Sequence, residues 1–442
     1  MKKSKMSIAA LVLILAIMTG CGQSKAAEAA GGTQALTLQT EAGTETETIL
    51  SETAFETAAE TAAETESSVV TAINVSADGL LDPADLFTDR DLVQTADLSD
   101  AVSLTVSDGE DITITEEGVY LISGTASDCT LIVAADSEAK VQLVLDGVTL
   151  TNSDAPAIYV KSADKVFITT TDSENTLTVS GTFTADGDTN TDAVIFAKDD
   201  IVLNGTGILN ISSTDNGVSC KDGLKITGGT INISCSDAAL EANDSVIMAG
   251  GDVTVSDCND GIHSENDEDD SVGDVYICGG SLEINALDDG IHATTILQID
   301  GGDVTVSAAE GLEGTYVQIN GGSISVTASD DGVNASAKST AYTPTLEING
   351  GDLTVDMGAG DTDALDSNGG LYINGGTVTI NAQFAFDYDG EGLMTGGTVT
   401  VNGQEITQLT NSMMGGGMMD GGQMGGPMGG QGGGPMGGGP WH

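Results

Sequence analysis

From Gly228 to Val401 polar and apolar residues alternate in short bursts, and each burst opens on a glycine pair. The copies read GGTINIS at 228, GGDVTVS at 250, GGSLEIN at 279, GGDVTVS at 301, GGSISVT at 321, GGDLTVD at 350, GGTVTIN at 375 and GGTVTVN at 396, with spacings of 22, 29, 22, 20, 29, 25 and 21 residues. Within a copy, as at Val304, Val306 and Ala308, apolar side chains recur at alternate positions, the period of a strand with one buried face. A second short strand precedes each glycine pair (ILQID, TYVQIN, TLEIN, LYIN), and a third follows an acid (DGIHA, EGLEG, DGVNA, DALDS). Three short strands per turn with glycine at the corners predict an all-β fold, a parallel β-helix. Its hand is expected to be right, as for parallel crossovers generally. A period of two excludes helical solenoids, and a spacing near 22 residues is too short for propeller blades.

The same alternation, with a looser period, runs from about 101 to 181 in DITITEEGVYLISG, KVQLVLDGVTLTN and KVFITTTDSENTLTVSG. These segments are read as the first coils, so the β-helix spans 101–410 in roughly a dozen coils that rise about 4.8 Å each. A solenoid end needs covering, and 73–100, with its helix-start acids and scattered Leu and Phe, is the expected N-terminal cap. Asp300, Asn320, Asn349 and Asn374 precede glycine pairs, where residues tolerant of a left-handed turn are expected.

The ends have other patterns. Lys2, Lys3 and Lys5 precede an apolar run from Ile8 to Met18 that closes on Met18-Thr19-Gly20-Cys21. That run is too short to span a bilayer and reads as an export signal over 1–20, with Cys21 as a lipidated mature N-terminus. The expected location is the extracellular face of the membrane, with the lipid on Cys21 as the membrane contact. Residues 21–72 are rich in Thr, Glu and Ala and poor in large apolar residues, which predicts an extended, self-repelling tether. Residues 411–442 form a Gly-Met-Pro tail with seven of the 13 methionines. It is read as a flexible tail, since nothing preforms a thioether metal site there.

The charge is −56, from 68 acids and 12 bases. Such a chain has nothing with which to neutralise phosphates, so nucleic-acid partners are excluded. Divalent cations are favoured instead. On a β-helix, equivalent positions of successive coils stack about 4.8 Å apart, so a repeated acid becomes a column of acids. One column contains Asn216, Asp260, Asp289, Glu310, Asp331 and Asp363, and a second contains Ser219, Glu241, His263, His292, Glu313, Asn334, Asp366 and Asp387. Bare carboxylates at that spacing repel by about 1 kcal/mol or more per pair. Ca²⁺ offsets this, taking six to eight oxygens in flexible geometry. The expected calcium ligands are Asp288, Asp289, Glu310, Glu313, Asp330, Asp331, Asn334, Asp363, Asp366, Asp387 and Asp389. The insertion SENDEDDS after His263 is either a local calcium loop or a solvated acidic one. His263 and His292 share a column, and stacked polar neighbours are expected there in place of zinc, because a tetrahedral site does not suit a linear column. Cys220, Cys235, Cys258 and Cys278 align with small or turn positions of other coils and are expected to be buried, with any pairing left open.

The block from SDGEDITITEEGVYLISG through KVFITTTDSENTLT, followed by DDGIH, AEGLEG, DDGVNAS, TDALDSNGGLYINGG and AFDYDG, resembles the clostridial carbohydrate-binding-domain lipoproteins over about Phe87 to Gly403. The resemblance implies a right-handed parallel β-helix with bound calcium, similar in fold to polysaccharide lyases. It also implies a cell-surface binder of pectic or cellulosic polysaccharide, expected to act as a monomer. Two alternatives stand beside it. A calcium-dependent lyase would need a base, and after the leader only Lys338 and Lys221 lie close to the acid motifs, which makes catalysis the weaker reading. A calcium-stiffened spacer or adhesin would need no sugar at all. Aromatic residues are only 3% of the chain and the tyrosines are scattered in sequence. Any sugar binding should therefore lean on hydrogen bonds and on calcium bridges to uronates.

Overall fold

Every apolar burst of the repeat is a strand, and one coil consists of Ile296–Ile299, Asp303–Ala308 and Glu310–Gly314. Each strand pairs in parallel with its equivalent in the next coil, as in Ile296↔Tyr316, Asp303↔Ser323 and Asp289↔Glu310. The computed structural model describes residues 79–359 and 362–411. The export signal, Cys21, the tether, the first residues of the expected cap and all but the start of the tail lie outside the described residues. No helix among the described residues is long and apolar enough to cross a membrane.

The third strand of each coil belongs to a sheet of 12 strands, which matches the expected dozen coils. The other two ladders join into one 24-stranded sheet. They join because Gly118–Ser127 and Lys140–Asn152 turn the corner without breaking, bending at Gly124 and Gly147, both at positive φ. The architecture is a parallel β-helix. Among the strand pairings of the described residues the last one runs antiparallel, between Thr398–Val401 and Gln404–Ile406. Asn402 and Gly403 between them have φ of 50° and 78°, the two positive values that a tight I′ hairpin turn requires. This hairpin pairs with the last coil where an open strand edge would otherwise stand.

The corners differ from expectation in one respect. The left-handed residue is the second glycine of each pair, as at Gly302 with φ 96°, and not the Asn or Asp before the pair. A Cβ on Gly302 would also stand 3.0 Å from the carbonyl oxygen of Gly280 in the preceding coil. The Asn side chains form a ladder along the corner instead. Asn320 donates to Asp300, Asn349 to Asn320 and Asn374 to Asn349, at 2.8, 2.9 and 2.9 Å. Each amide satisfies its neighbour one coil away, which fixes the register of the stack.

The expected end cap is instead a strap along the side. From Gly79 onward it runs over the outer face of the ladder that contains Ile296–Ile299. Leu81 exchanges hydrogen bonds with Gln298 at 2.7 and 3.1 Å, and Gly205 donates to Gln94 at 3.0 Å. The reason is that this ladder is apolar on both faces. Ile247, Ala249, Tyr276 and Cys278 point outward, and Leu81, Leu86, Phe87 and Leu92 cover them. Arg90 lies 4.3 Å over the Phe167 ring. The short helix Pro83–Leu86 starts on an Asp82 cap with proline next, the order that suits a helix N-terminus.

At the centre of the strap Asp91 is fully buried between two lysines, 3.4 Å from Lys165 and 3.4 Å from Lys225. Burial opposes its charge, but hydrogen bonds from Thr88 and the charges of Lys225 and Lys165 hold its carboxyl below the usual range.

Cys235 and Cys258 form a disulfide between adjacent coils. Cys129 and Cys220 are buried free thiols, and burial pushes both upward.

Candidate functional site

The outward face of the 12-stranded sheet carries the acid columns, and in several coils a glycine, at 217, 261, 290, 311 and 332, sets what faces out. A Cβ on Gly290 would lie 2.2 Å from Val306 Cγ1 of the facing ladder, so the interior has no room for one. The acid before this glycine and the residue two beyond it are left on the outward face of the sheet. The strand Asp289–Ala293 therefore presents Asp289 and His292, with His292 Nδ1 at 3.6 Å from Asp289.

The second column is continuous in register: Ser219, Glu241, His263, His292, Glu313, Asn334 and Asp366 are successive partners. It also extends upward through Phe196, Tyr159 and Ile132, which sequence reasoning missed. Tyr159 and Phe196 meet edge to face at 5.7 Å. They lie under the loop before Ala193, where Tyr159 donates to Asp186 at 3.1 Å and Lys161 pairs with the same carboxylate at 2.8 Å. The signal was present in IYVKS and AVIFA, but the coils there lack the glycine pairs that align the later copies.

Two coils with long insertions build walls. The insertion after His263 folds against the insertion after Ala335: Thr340 donates to Asp270 through its backbone and its hydroxyl, at 3.0 and 2.9 Å, and Ser339 bonds the Asp270 carbonyl. Between the first insertion and Asp188 lies a cleft of about 800 Å³, floored by Asn216, Ala238, Glu241, Asp260 and His263. Asp237, Glu265, Asn266, Asp267 and Glu268 add oxygens, and Lys221 supplies the cleft's lysine, 3.1 Å from Glu241.

Below the cleft the expected calcium ligands divide into three groups. Asp288, Asp330 and Asp389 are exposed turn residues and do not join the columns. Asp289, Glu310 and Glu313 surround positive charge. Glu313 accepts from His292 Nδ1 at 2.7 Å, from Ser336 at 2.7 Å and from Lys338 at 3.0 Å. The second insertion carries Lys338 back over the column. Burial alone would raise Glu313, yet the hydrogen bond and charge of His292, with Ser336 and Lys338, hold it at about 2. His292 answers in kind: burial disfavours its charge, and Glu313 raises its pKa nonetheless.

The third group is Asp331, Asn334, Asp363, Asp366 and Asp387. Among the described residues no lysine, arginine or histidine pairs with Asp331, Asp366 or Asp387. Burial, then Asp331, Asp387 and Asp363, push Asp366 up to about 7. Burial and Glu313 do the same for Glu310, also to about 7. Asn334 donates to Glu310 at 2.5 Å, while its own Oδ1 is buried without a hydrogen-bond partner. Half-buried carboxylates that repel one another, beside an orphaned amide oxygen, are the donor set of a hard cation. The residues fit calcium here better than around Glu313, where Lys338 already neutralises.

Residues 108–362 and 310–412 match the model of a family described as carbohydrate-binding domain-containing protein. A carbohydrate-binding domain-containing protein of Acetivibrio thermocellus is 39% identical over 130 residues, which cover 28% of this chain and 45% of that relative. The chain thus spans about half the length of the curated relative it matches. A solved structure of a polysaccharide lyase-like protein from C. thermocellum, a gadolinium derivative, is 24% identical with a TM-score of 0.38, over 68% of this chain and 94% of that one.

Proposed function

The chain belongs to the carbohydrate-binding domain-containing family, and from that premise we propose that it binds polysaccharide in the cleft above the acid columns, with calcium held by the cluster around Asp366. The observation that carries this reading is the cleft itself, about 800 Å³ and lined by carboxylates and amides from three coils and an inserted wall. Sugar hydroxyls are donors, and such a lining supplies acceptors in a row. Its charge also discriminates. Asp188, Asp237, Glu241, Asp260, Glu265, Asp267 and Glu268 face a single Lys221, so a uronate chain approaches only through a bridging cation. A neutral glucan needs none.

The experiment is retention of the full chain on pectate, cellulose and xylan, with calcium and with EDTA. Calcium-dependent retention on pectate supports bridging, and calcium-independent retention on cellulose or xylan supports direct hydrogen bonding. Retention on none of the three sinks the binding reading and leaves a spacer.

A lyase is the second reading, favoured by the position of Lys338. Its ammonium form is the stabilised one, however: burial lowers its pKa, and Glu313 more than offsets this, leaving it raised. A base for proton abstraction needs the opposite shift. Binding without turnover is the better reading, and the absorbance of unsaturated product in the same pectate tubes checks it.

The proposed setting is the outer face of the membrane, with a lipid on Cys21 and the chain acting as a monomer. Cys21→Ala is expected to move most of the protein from the membrane fraction to the medium. Unchanged membrane retention would count against lipidation.

A further inference from the structure

We propose that His263, Glu265 and His292 form a binding site for a divalent transition metal of the zinc class, opening on the cleft. His263 and His292 are partners in adjacent coils, and their rings stack with centroids 4.7 Å apart and planes 8° from parallel. Two imidazoles in a line make a poor site, because ligands must converge from different directions. Glu265 removes that obstacle. It comes from the inserted wall and not from the column, and its carboxylate lies 3.0 Å from His263 Nε2. One ligand atom from each of the three residues falls within 4.8 Å of the others. Side-chain rotation can close that spread onto one ion with bonds of about 2 Å.

A second observation points the same way. His292 is 5% exposed and gives its Nδ1 to Glu313 at 2.7 Å, and Glu313 is itself fixed by Ser336 and Lys338. A carboxylate on one imidazole nitrogen is the arrangement that sets the tautomer of metal-bound histidines and leaves the other nitrogen as ligand. Two nitrogens and one carboxylate suit zinc and its neighbours, whereas calcium takes oxygens. The buried trio Asp289, His292 and Glu313 is also close enough to share an ion. There, however, the Lys338 ammonium already stands 3.0 Å from Glu313, and a dication would meet a fixed positive charge. Three protein ligands leave a fourth position facing the cleft, open to water or a ligand oxygen. This site is separate from the oxygen cluster around Asp366 and does not depend on the carbohydrate reading.

The test is calorimetric titration of the full chain, calcium-saturated and without an added histidine tag, with Zn²⁺, followed by the visible spectrum of the Co²⁺ form. One saturable site per chain is expected, not displaced by excess calcium, with a Co²⁺ spectrum of low coordination number. Glu313→Gln should weaken zinc binding by about 10- to 100-fold, and Glu265→Gln by at least about 10-fold. His263→Gln should abolish binding, and replacing His442, the third histidine of the chain, should change nothing. Glu265 is half-exposed, so its variant keeps the fold, and circular dichroism checks this. Three results would overturn the site: no saturable binding, unchanged affinity in Glu265→Gln and His263→Gln, or a loss in Asp289→Asn with none in Glu265→Gln, which places the ion in the buried trio.

Discussion

Asp91→Ala is expected to destabilise the folded chain by about 3–5 kcal/mol, the cost of stranding buried charge. The carboxylate has no exposure and pairs with both Lys165 and Lys225. Once it is gone, Lys165 keeps only Asp200 at 3.6 Å, and Lys225 keeps the Leu86 carbonyl of a strap that has lost its anchor. Burial already lowers the pKa of Lys225, and losing Asp91 favours its neutral form further. Because a depressed Asp pKa stabilises only above the ordinary value, the loss should be full at neutral pH and shrink as pH falls through the folded pKa of Asp91. Urea unfolding of the two proteins measures the difference, and hydrogen exchange should show the strap between Gly79 and Leu98 opening first. A variant with unchanged midpoint and strap protection would mean that the strap is held by its leucines alone.

Calcium should stabilise the chain by about 3–4 kcal/mol at concentrations 100 to 1,000 times its dissociation constant, and Asp366→Asn should remove most of that gain. The same substitution should raise the melting temperature in EDTA, because it deletes the carboxylate that Asp331, Asp363 and Asp387 crowd. Stabilising the metal-free protein while abolishing the response to metal is an outcome that a merely structural aspartate would not give. The pH dependence has a definite sign. Asp366 and Glu310 have folded pKa values of about 7, raised above their ordinary ones. The folded state binds more protons than the unfolded one between those limits, so stability in EDTA is greatest at mildly acidic pH and falls as pH rises through about 7. After allowance for solvent screening at partly exposed groups, the fall is on the order of a few degrees. Calcium, which binds the ionised forms, should flatten or reverse it. A melting temperature indifferent to EDTA at every pH would remove calcium from this cluster.

The sequence made the columns legible for a physical reason. Corner glycines, and a glycine or alanine ahead of each column residue, leave the chain one register, so Glu241, His263, His292, Glu313, Asn334 and Asp366 stack as their spacing implies. What a column means is less legible, since it depends on which positive charges arrive from outside the repeat. Lys338 comes from an insertion and neutralises Glu313, whereas among the described residues no cation pairs with Asp366. The strap was misplaced because its docking face is written in the ladder and not in the strap. KVFITT and DVYI are buried on both faces, and such unbroken apolar runs call for a cover on each side. The pairing of the two insertions spans 70 residues and rests on Asp270 and Thr340. No local period predicts it. The Tyr159–Phe196 pair was hidden for a related reason, since the upstream coils lack the glycine pairs that align the later ones.

The most direct test of the cleft is hydrogen exchange of the full chain with and without an oligosaccharide cut from whichever polysaccharide retains it. Protection is expected in the strands Asn216–Cys220, Ala238–Ala242 and Asp260–Ser264 and in the wall that follows His263. Protection confined to the opposite ladders or to the strap, with the cleft strands unchanged, would contradict a binding site above the acid columns.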